Sequence, residues 1–206
     1  RVAKEMGADA VKLQSYTADA LTIDSDKPDF MIDGGLWDGY NLYQLYKEAH
    51  TPYEWHKELF DYGAELGITV FSSPFEEAAI DLLEELGAPA YKIASFELVD
   101  HQLIAYAART GKPLIMSTGM AVSQEIEEAL AVARDNGCSE IILLHCISSY
   151  PAPTDQSNVL VVVELAKQFD AVVGLSGHTM TNSAAIASIA LGGSVIEKHF
   201  TLNRKD

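Results

Sequence analysis

Short apolar runs alternate with amphipathic stretches along most of this chain, and the alternation predicts a strand–helix repeat. Ala8–Gln14, Thr69–Phe75, Ala90–Ser95, Pro113–Thr118, Glu140–Ser148, Val172–Gly174 and Ser194–Phe200 are compact and rich in apolar residues, as buried strands are. Between them the apolar residues recur at helical spacing, as in Trp55, Leu59, Tyr62 and Leu66, or Ala79, Leu82, Leu83 and Leu86. Further helices are predicted from about Asp100 to Thr110, from Ser123 to Gly137, from Val159 to Phe169 and from Asn182 to Leu191. The punctuation agrees. Gly7, Gly67 and Gly87 follow helical stretches as C-terminal stops, and Arg1 to Met6 reads as the tail of a helix. Thr51-Pro52-Tyr53-Glu54 predicts a helix start, with Thr51 as N-cap, Pro52 at the first helical position and Glu54 closing a capping box.

This makes seven strands and six connecting helices, an α/β pattern of parallel strands covered by helices. No Gly-x-Gly-x-x-Gly follows a strand, which argues against a dinucleotide-binding fold. The chemistry-bearing residues fall at the C-terminal ends of strands, the active face of a TIM (β/α)8 barrel. Such a barrel has eight strands. Residues 1–206 are therefore expected to be one catalytic barrel domain lacking its first strand and its last helix. Residues 16–50 break the rhythm. A polar loop through Asp24, Asp26 and Asp29 leads to a segment dense in aromatics around Trp37, Tyr40, Tyr43 and Tyr46. So long a connection reads either as a lid or substrate wall, or as a loop packed for its own stability.

Composition narrows the partners. Apolar content of 48% and charged content of 21% are ordinary for a globular chain. A net charge of −16 argues against nucleic acid and anionic membranes, and any anionic substrate must be drawn in by local lysines. Two cysteines, Cys138 and Cys146, are too few for a disulfide framework and fit a reduced, cytoplasmic setting.

Lys12, Gln14, Ser73, Lys92, Ser95, Ser117, Thr118, Ser148, Tyr150, Ser176, His178, Glu197 and His199 collect at the strand ends. A lysine within a sheet is costly unless paired. Lys12 and Lys92 facing one cavity would make an anion site to which the hydroxyls add donors, and the bland alternative is two solvated, outward-facing lysines. His145 sits inside its strand and reads as a core or rim residue. His178 and His199 end consecutive strands, and two neutral imidazoles there suit a divalent metal with open positions for water and substrate. Glu197 alternates with His199 on one face, as a ligand, a partner behind the ligand or an acceptor for a sugar hydroxyl.

These residues carry a resemblance. Val-Lys12-Leu-Gln14, Phe-Ser-Ser73-Pro-Phe75, Tyr-Lys92-Ile-Ala-Ser95, Met-Ser117-Thr-Gly, His-Cys-Ile-Ser148-Ser-Tyr150-Pro, Gly-Leu-Ser176-Gly-His178-Thr and Ile-Glu197-Lys-His199-Phe are jointly similar to the sialic acid synthase family, in the family's order and across nearly the whole chain. The segment from Leu36 to Trp55 most resembles the pseudaminic acid synthase branch. The resemblance implies a metal-dependent transferase that condenses phosphoenolpyruvate with an N-acetylated aldose. The product is a nine-carbon 2-keto sugar acid, with phosphate released. It implies that Lys12, Lys92, Ser73, Ser95, Ser117, Ser148 and Ser176 hold phosphoenolpyruvate. His178 and His199 would bind the metal, with Mn2+ expected ahead of Mg2+ or Co2+. Tyr150, Phe75 and the 36–46 aromatics would wall the sugar site, and Gln14 and Glu197 would meet sugar hydroxyls or water at the metal. A homodimer and a further C-terminal antifreeze-like domain, absent from these residues, are also implied. Gly177 stands where the family usually has an acidic residue, and Ser148 where sialic acid synthases often carry Asn. The alternatives are an N-acetylneuraminate or legionaminic acid synthase and a non-catalytic barrel that binds anions or sugar phosphates. A Schiff-base aldolase would need one desolvated lysine and no pair of histidines.

Overall fold

The computed structural model describes residues 1–34 and 37–203. Leu36, the first residue of the aromatic segment, lies outside the described residues. In chain order the elements are α1 (Val2–Glu5), β1 (Ala10–Ser15), α2 (Ala18–Leu21), α3 (Leu42–Ala49), α4 (Tyr53–Leu66), β2 (Thr69–Pro74), α5 (Glu77–Glu85), β3 (Tyr91–Ile93), α6 (His101–Ala108), β4 (Leu114–Ser117), α7 (Ser123–Asp135), β5 (Ile141–Cys146), α8 (Val161–Phe169), β6 (Val172–Gly177), α9 (Ser183–Ala190) and β7 (Val195–Lys198). All seven expected strands are present; six lie within a residue or two of their expected bounds or are shorter, and β6 runs three residues beyond the expected Gly174, to Gly177. The six helices that follow the long first connection are α4 to α9. The chain forms two compact units, Asp9–Ala88 and Arg1–Ala8 with the chain from Pro89 onward.

In the first unit, β1 and β2 pair in parallel with Gln14 opposite Ser73. A buried polar chain joins them to α4. Ser15 Oγ lies 2.6 Å from His56 Nε2 and 2.7 Å from Ser72 Oγ, and His56 Nδ1 lies 3.0 Å from the Pro52 carbonyl. All three side-chain bearers are fully enclosed, so every polar atom in the chain needs such a partner. The α4 start differs from expectation. Pro52 itself is the N-cap, no side chain caps it, and its carbonyl accepts from Trp55 N and faces the His56 ring. The buried histidine fastens the helix start from inside, in place of an exposed Thr–Glu box.

The 16–50 connection is folded rather than loose. Asn41 caps α3 by accepting from Gln44 N at 2.8 Å, while its amide donates to Asp26 Oδ1 at 3.1 Å. One buried asparagine thus pins the polar loop to a helix start. Tyr16 is buried and meets Tyr46 and Phe75 edge-on, with ring centroids 6.2 and 5.6 Å apart. Trp37 and Tyr40 remain exposed.

In the second unit, β3–β4, β4–β5, β5–β6 and β6–β7 all pair in parallel. Tyr91, Ile93, Ile104, Leu114, Met116, Leu143, Leu144 and Val162 are fully buried. Each aliphatic side chain of that kind contributes about 1.5–3 kcal/mol of burial. At Gly174 a Cβ would collide with the Val195 carbonyl of β7, so only glycine allows β6 and β7 this close. His145 is buried with its Nε2 2.8 Å from the Ser157 carbonyl, as a core histidine is. Burial pushes its pKa down, against the hydrogen bond to Ser157.

Candidate active site

The second unit gathers most of the chemistry at the C-terminal ends of β3 to β7. Lys92, on β3, is 2% exposed. Its ammonium donates to Ser117 Oγ on β4 at 2.7 Å and lies 3.8 Å from Glu197 Oε1 on β7. That same oxygen accepts the Ser176 hydroxyl of β6 at 2.8 Å. One chain of polar contacts therefore links four strands and compensates a buried charge. The solvated alternative does not hold for Lys92.

A second cluster surrounds Gly119. Its N–H donates to Ser95 Oγ at 3.2 Å. A Cβ at this position would stand 2.7 Å from Ser148 Oγ, 2.9 Å from Ser95 Oγ and 3.0 Å from the Cys146 carbonyl. Two hydroxyls expected to bind substrate thus converge on a backbone that must lack a side chain. Gly119 was missed as a site residue; its signal lay in the Ser117-Thr118-Gly119 string at a strand exit. Thr118 is committed to the backbone, bonding the Leu144 carbonyl at 3.3 Å.

His178 and His199 are brought together, with ring centroids 5.2 Å apart. Tyr150 packs against both, at 4.2 Å from the first ring and 5.7 Å from the second. His178 Nδ1 lies 2.9 Å from the Ile147 carbonyl. A carbonyl only accepts, so Nδ1 carries the hydrogen and the Nε2 lone pair of the neutral ring is left for a ligand. Cys146 Sγ lies 3.7 Å from the same Nδ1. Burial works against the imidazolium, yet the contacts with Cys146 and Ile147 and the charge of Glu197 outweigh it and the net pKa direction is up. For the Cys146 thiol, burial is likewise the largest influence and raises it. Hydrogen bonds with His178, Ser95 and Ser148 bring the net direction below the ordinary value. Among the described residues no group of three or more His, Cys, Asp or Glu is arranged to hold a metal ion.

Glu97, on the turn Phe96–Val99 after β3, was also missed. Its Oε2 is buried and lacks a hydrogen-bond partner. Burial pushes its carboxyl pKa up and Asp100 adds to the rise, while its own backbone N–H and Lys92 pull it down. A Cβ at Gly177 would meet Leu175 Cδ2 at 3.5 Å and the Glu197 carbonyl at 3.7 Å, so sterics do not demand a glycine there.

The remaining expected site residues lie in the Asp9–Ala88 unit. Lys12 is half-buried on β1, Gln14 is exposed two residues on, and Phe75 packs on Tyr16. Ser73 is buried with a hydroxyl that has no hydrogen-bond partner.

Parallel strands whose C-terminal ends carry a buried lysine, clustered hydroxyls and paired imidazoles make an α/β protein with a candidate site, whose donors are of the kind that can meet a small anionic or oxygen-rich ligand. Comparison sharpens the class. Residues 1–206 match the NeuB family throughout, and the chain belongs to that family. It is 48% identical to the pseudaminic acid synthase of Helicobacter pylori over 201 residues, covering 98% of this chain and 59% of that protein. It is 37% identical to the N,N'-diacetyllegionaminic acid synthase of Campylobacter jejuni over 206 residues, covering 98% of this chain and 61% of the relative. Among solved structures, it is similar to N-acetylneuraminic acid synthetase of Leptospira borgpetersenii, determined with citrate. There the TM-score is 0.86 and the identity 27%, over 98% of this chain and 66% of the other. The chain thus spans about three-fifths of the length of the curated relatives it matches. No described helix is long and apolar enough to cross a membrane.

Proposed function

We propose that this chain is the larger part of a (β/α)8 barrel belonging to a pseudaminic acid synthase. That enzyme would condense phosphoenolpyruvate with a 6-deoxy-di-N-acetylaminohexose and release phosphate. The observation that carries this reading is the identity of 48% to such a synthase across 98% of the chain. The buried Lys92, with its hydroxyl and carboxylate partners, gives the reading a chemical basis.

In this reading Lys92 and the hydroxyls of Ser95, Ser117, Ser148 and Ser176 bind the carboxylate and phosphate of phosphoenolpyruvate, with Lys12 and Ser73 as further donors. The orphaned Ser73 hydroxyl supports that role, because a buried hydroxyl without a partner is suited to an incoming acceptor. Carbon 3 of phosphoenolpyruvate attacks the open-chain aldehyde of the sugar. Water adds to the resulting cationic carbon 2, and phosphate leaves by cleavage of its C–O bond. Placement of the two substrates supplies most of the acceleration. Tyr150 and Phe75 would wall the sugar, and Gln14 and Glu197 would accept from its hydroxyls.

The donor set fits a divalent cation at His178 and His199. Their rings are adjacent, and the Ile147 carbonyl fixes the His178 tautomer that leaves Nε2 available. The cation, Mn2+ by preference, would supply Lewis acidity at the aldehyde oxygen. A legionaminic or N-acetylneuraminic acid synthase is the second reading, favoured by the 37% relative and the solved structure. Phosphate release by the intact protein, measured with each candidate aldose and with Mn2+ added or chelated, tests both. Turnover with the di-N-acetylated 6-deoxyhexose is expected. Turnover confined to N-acetylmannosamine, or none with any aldose, overturns the first reading.

A further inference from the structure

The β6–β7 ladder runs from Gly174 opposite Val195 to Gly177 opposite Lys198. His178 and His199 are the next residue on each strand, so no ladder pair sets their separation. The side chain of Lys198 does reach across this gap. Its ammonium donates to the Thr179 carbonyl at 3.1 Å and to the Thr181 carbonyl at 2.8 Å. Both carbonyls belong to the segment leaving β6 directly after His178. Alternation along the strand sets Lys198 apart from Glu197, whose carboxylate is taken up by Ser176 on the other side.

The segment it grips is otherwise tied to its surroundings. Thr179 Oγ1 donates to the Thr181 carbonyl at 3.0 Å, and Thr181 Oγ1 lies 2.8 Å from Ser183 Oγ at the start of α9. Ala152 N donates to the His178 carbonyl at 3.0 Å. The Thr181 carbonyl therefore receives both a hydroxyl and an ammonium. Lysine suits this task because one ammonium offers three donors and can serve two diverging carbonyls at once. These two bonds are separate from those that join Lys92 to Ser117 and Gly119 to Ser95.

We infer that Lys198 is a positioning residue. Its ammonium ties the segment after His178 to the strand that carries His199, and thereby sets the spacing and facing of the two imidazoles. This rests on the reading of those imidazoles as the cation-binding end of the proposed site. Lys198→Met keeps the aliphatic stem and removes both bonds, whereas Lys198→Arg keeps donors for both carbonyls.

The test uses the intact protein and two readouts. Mn2+ affinity is followed by electron paramagnetic resonance of the free ion, and the ring signals of His178 and His199 are followed by NMR in the metal-free protein. In the Lys198→Met variant, Mn2+ binding is expected to weaken by ~10–100-fold, the range for residues that orient ligands from behind. Both histidine signals should move, the KM for phosphoenolpyruvate should stay near the wild-type value, and Lys198→Arg should recover most of the Mn2+ affinity. Wild-type Mn2+ affinity in a folded Lys198→Met variant overturns the inference. If wild type itself takes up no Mn2+, the cation reading falls, and the inference is then judged on the ring signals: unchanged signals in Lys198→Met overturn it, shifted signals sustain it. Should Lys198→Met not fold, Lys198→Leu, which likewise lacks a donor, is read by the same criteria.

Discussion

The ammonium of Lys92 on β3 lies 3.8 Å from Oε1 of Glu197 on β7, the same oxygen that accepts the Ser176 hydroxyl. The two ends of this pair are unequally supported. Without Lys92, Glu197 keeps its Ser176 bond and is partly open to solvent, its side chain 18% exposed against 3% for Lys92. Without Glu197, an enclosed ammonium loses an ion pair, while the Ser117 hydroxyl, the Ile93 carbonyl and the charge of Glu97 remain among its surroundings. Glu197→Gln is therefore expected to cost more stability than Lys92→Met, by about 1–3 kcal/mol. Urea denaturation of both variants checks this; a larger loss for Lys92→Met would contradict it. Lys92→Met should nevertheless abolish phosphoenolpyruvate binding.

His178→Ala removes the ring whose tautomer the Ile147 carbonyl sets. It is expected to lower Mn2+-stimulated phosphate release by ~1,000-fold or more, on the scale of losing a principal electrostatic contributor, about 4 kcal/mol. The fold should survive, because the ring is only half-buried. Metal-independent turnover that persists in the variant would eliminate the cation from the mechanism.

Gly119→Ala places a methyl against the Ser95 and Ser148 hydroxyls and the Cys146 carbonyl. The hydroxyls can rotate away, but the carbonyl is backbone. A stability loss of about 1–3 kcal/mol is expected from this crowding, with a raised KM for phosphoenolpyruvate because the two serines are displaced. Thermal unfolding and steady-state kinetics on the same sample separate the two effects. Gly177→Ala, where contacts are of ordinary length, serves as the control and should change stability little.

Burial raises the Glu97 carboxyl pKa in the folded protein, so the native state holds this proton more tightly than the unfolded chain does. The stability that this contributes is present at pH below the unfolded value and is lost as pH rises through the folded one. Glu97→Gln, which stays neutral, should consequently stabilise the protein at neutral pH. Its advantage over wild type should shrink as the pH falls toward and below the ordinary carboxylate range. Urea midpoints measured between pH 4 and 8 give the comparison, and a difference independent of pH would contradict the assignment.

Much of the fold was legible because it rests on local periodicity. Apolar runs at Pro113–Thr118 or Glu140–Ser148 can be buried on both faces only as inner strands, and Leu59 and Leu66 recur at the period of a helix. The Thr51 cap was misread for a tertiary reason: the donor that engages the helix start is the His56 ring, held by Ser15 on a strand 41 residues away. The 16–50 connection looked like a loop because Asn41, its anchor, is a single residue whose partners lie 15 and 17 positions earlier.

Residue type and strand-end position were enough to nominate Lys92, Ser117, Ser176, His178, Glu197 and His199, since chemistry and strand periodicity are written locally. Which of them touch was not. The Lys92–Glu197 pair, 105 positions apart, the Gly119 cradle and the reach of Lys198 across the two histidine-bearing strand ends arise from β3 to β7 packing side by side. In parallel strands, contacts are set by register between distant segments, and register follows from the packing of the whole sheet and its helices rather than from any one stretch of chain.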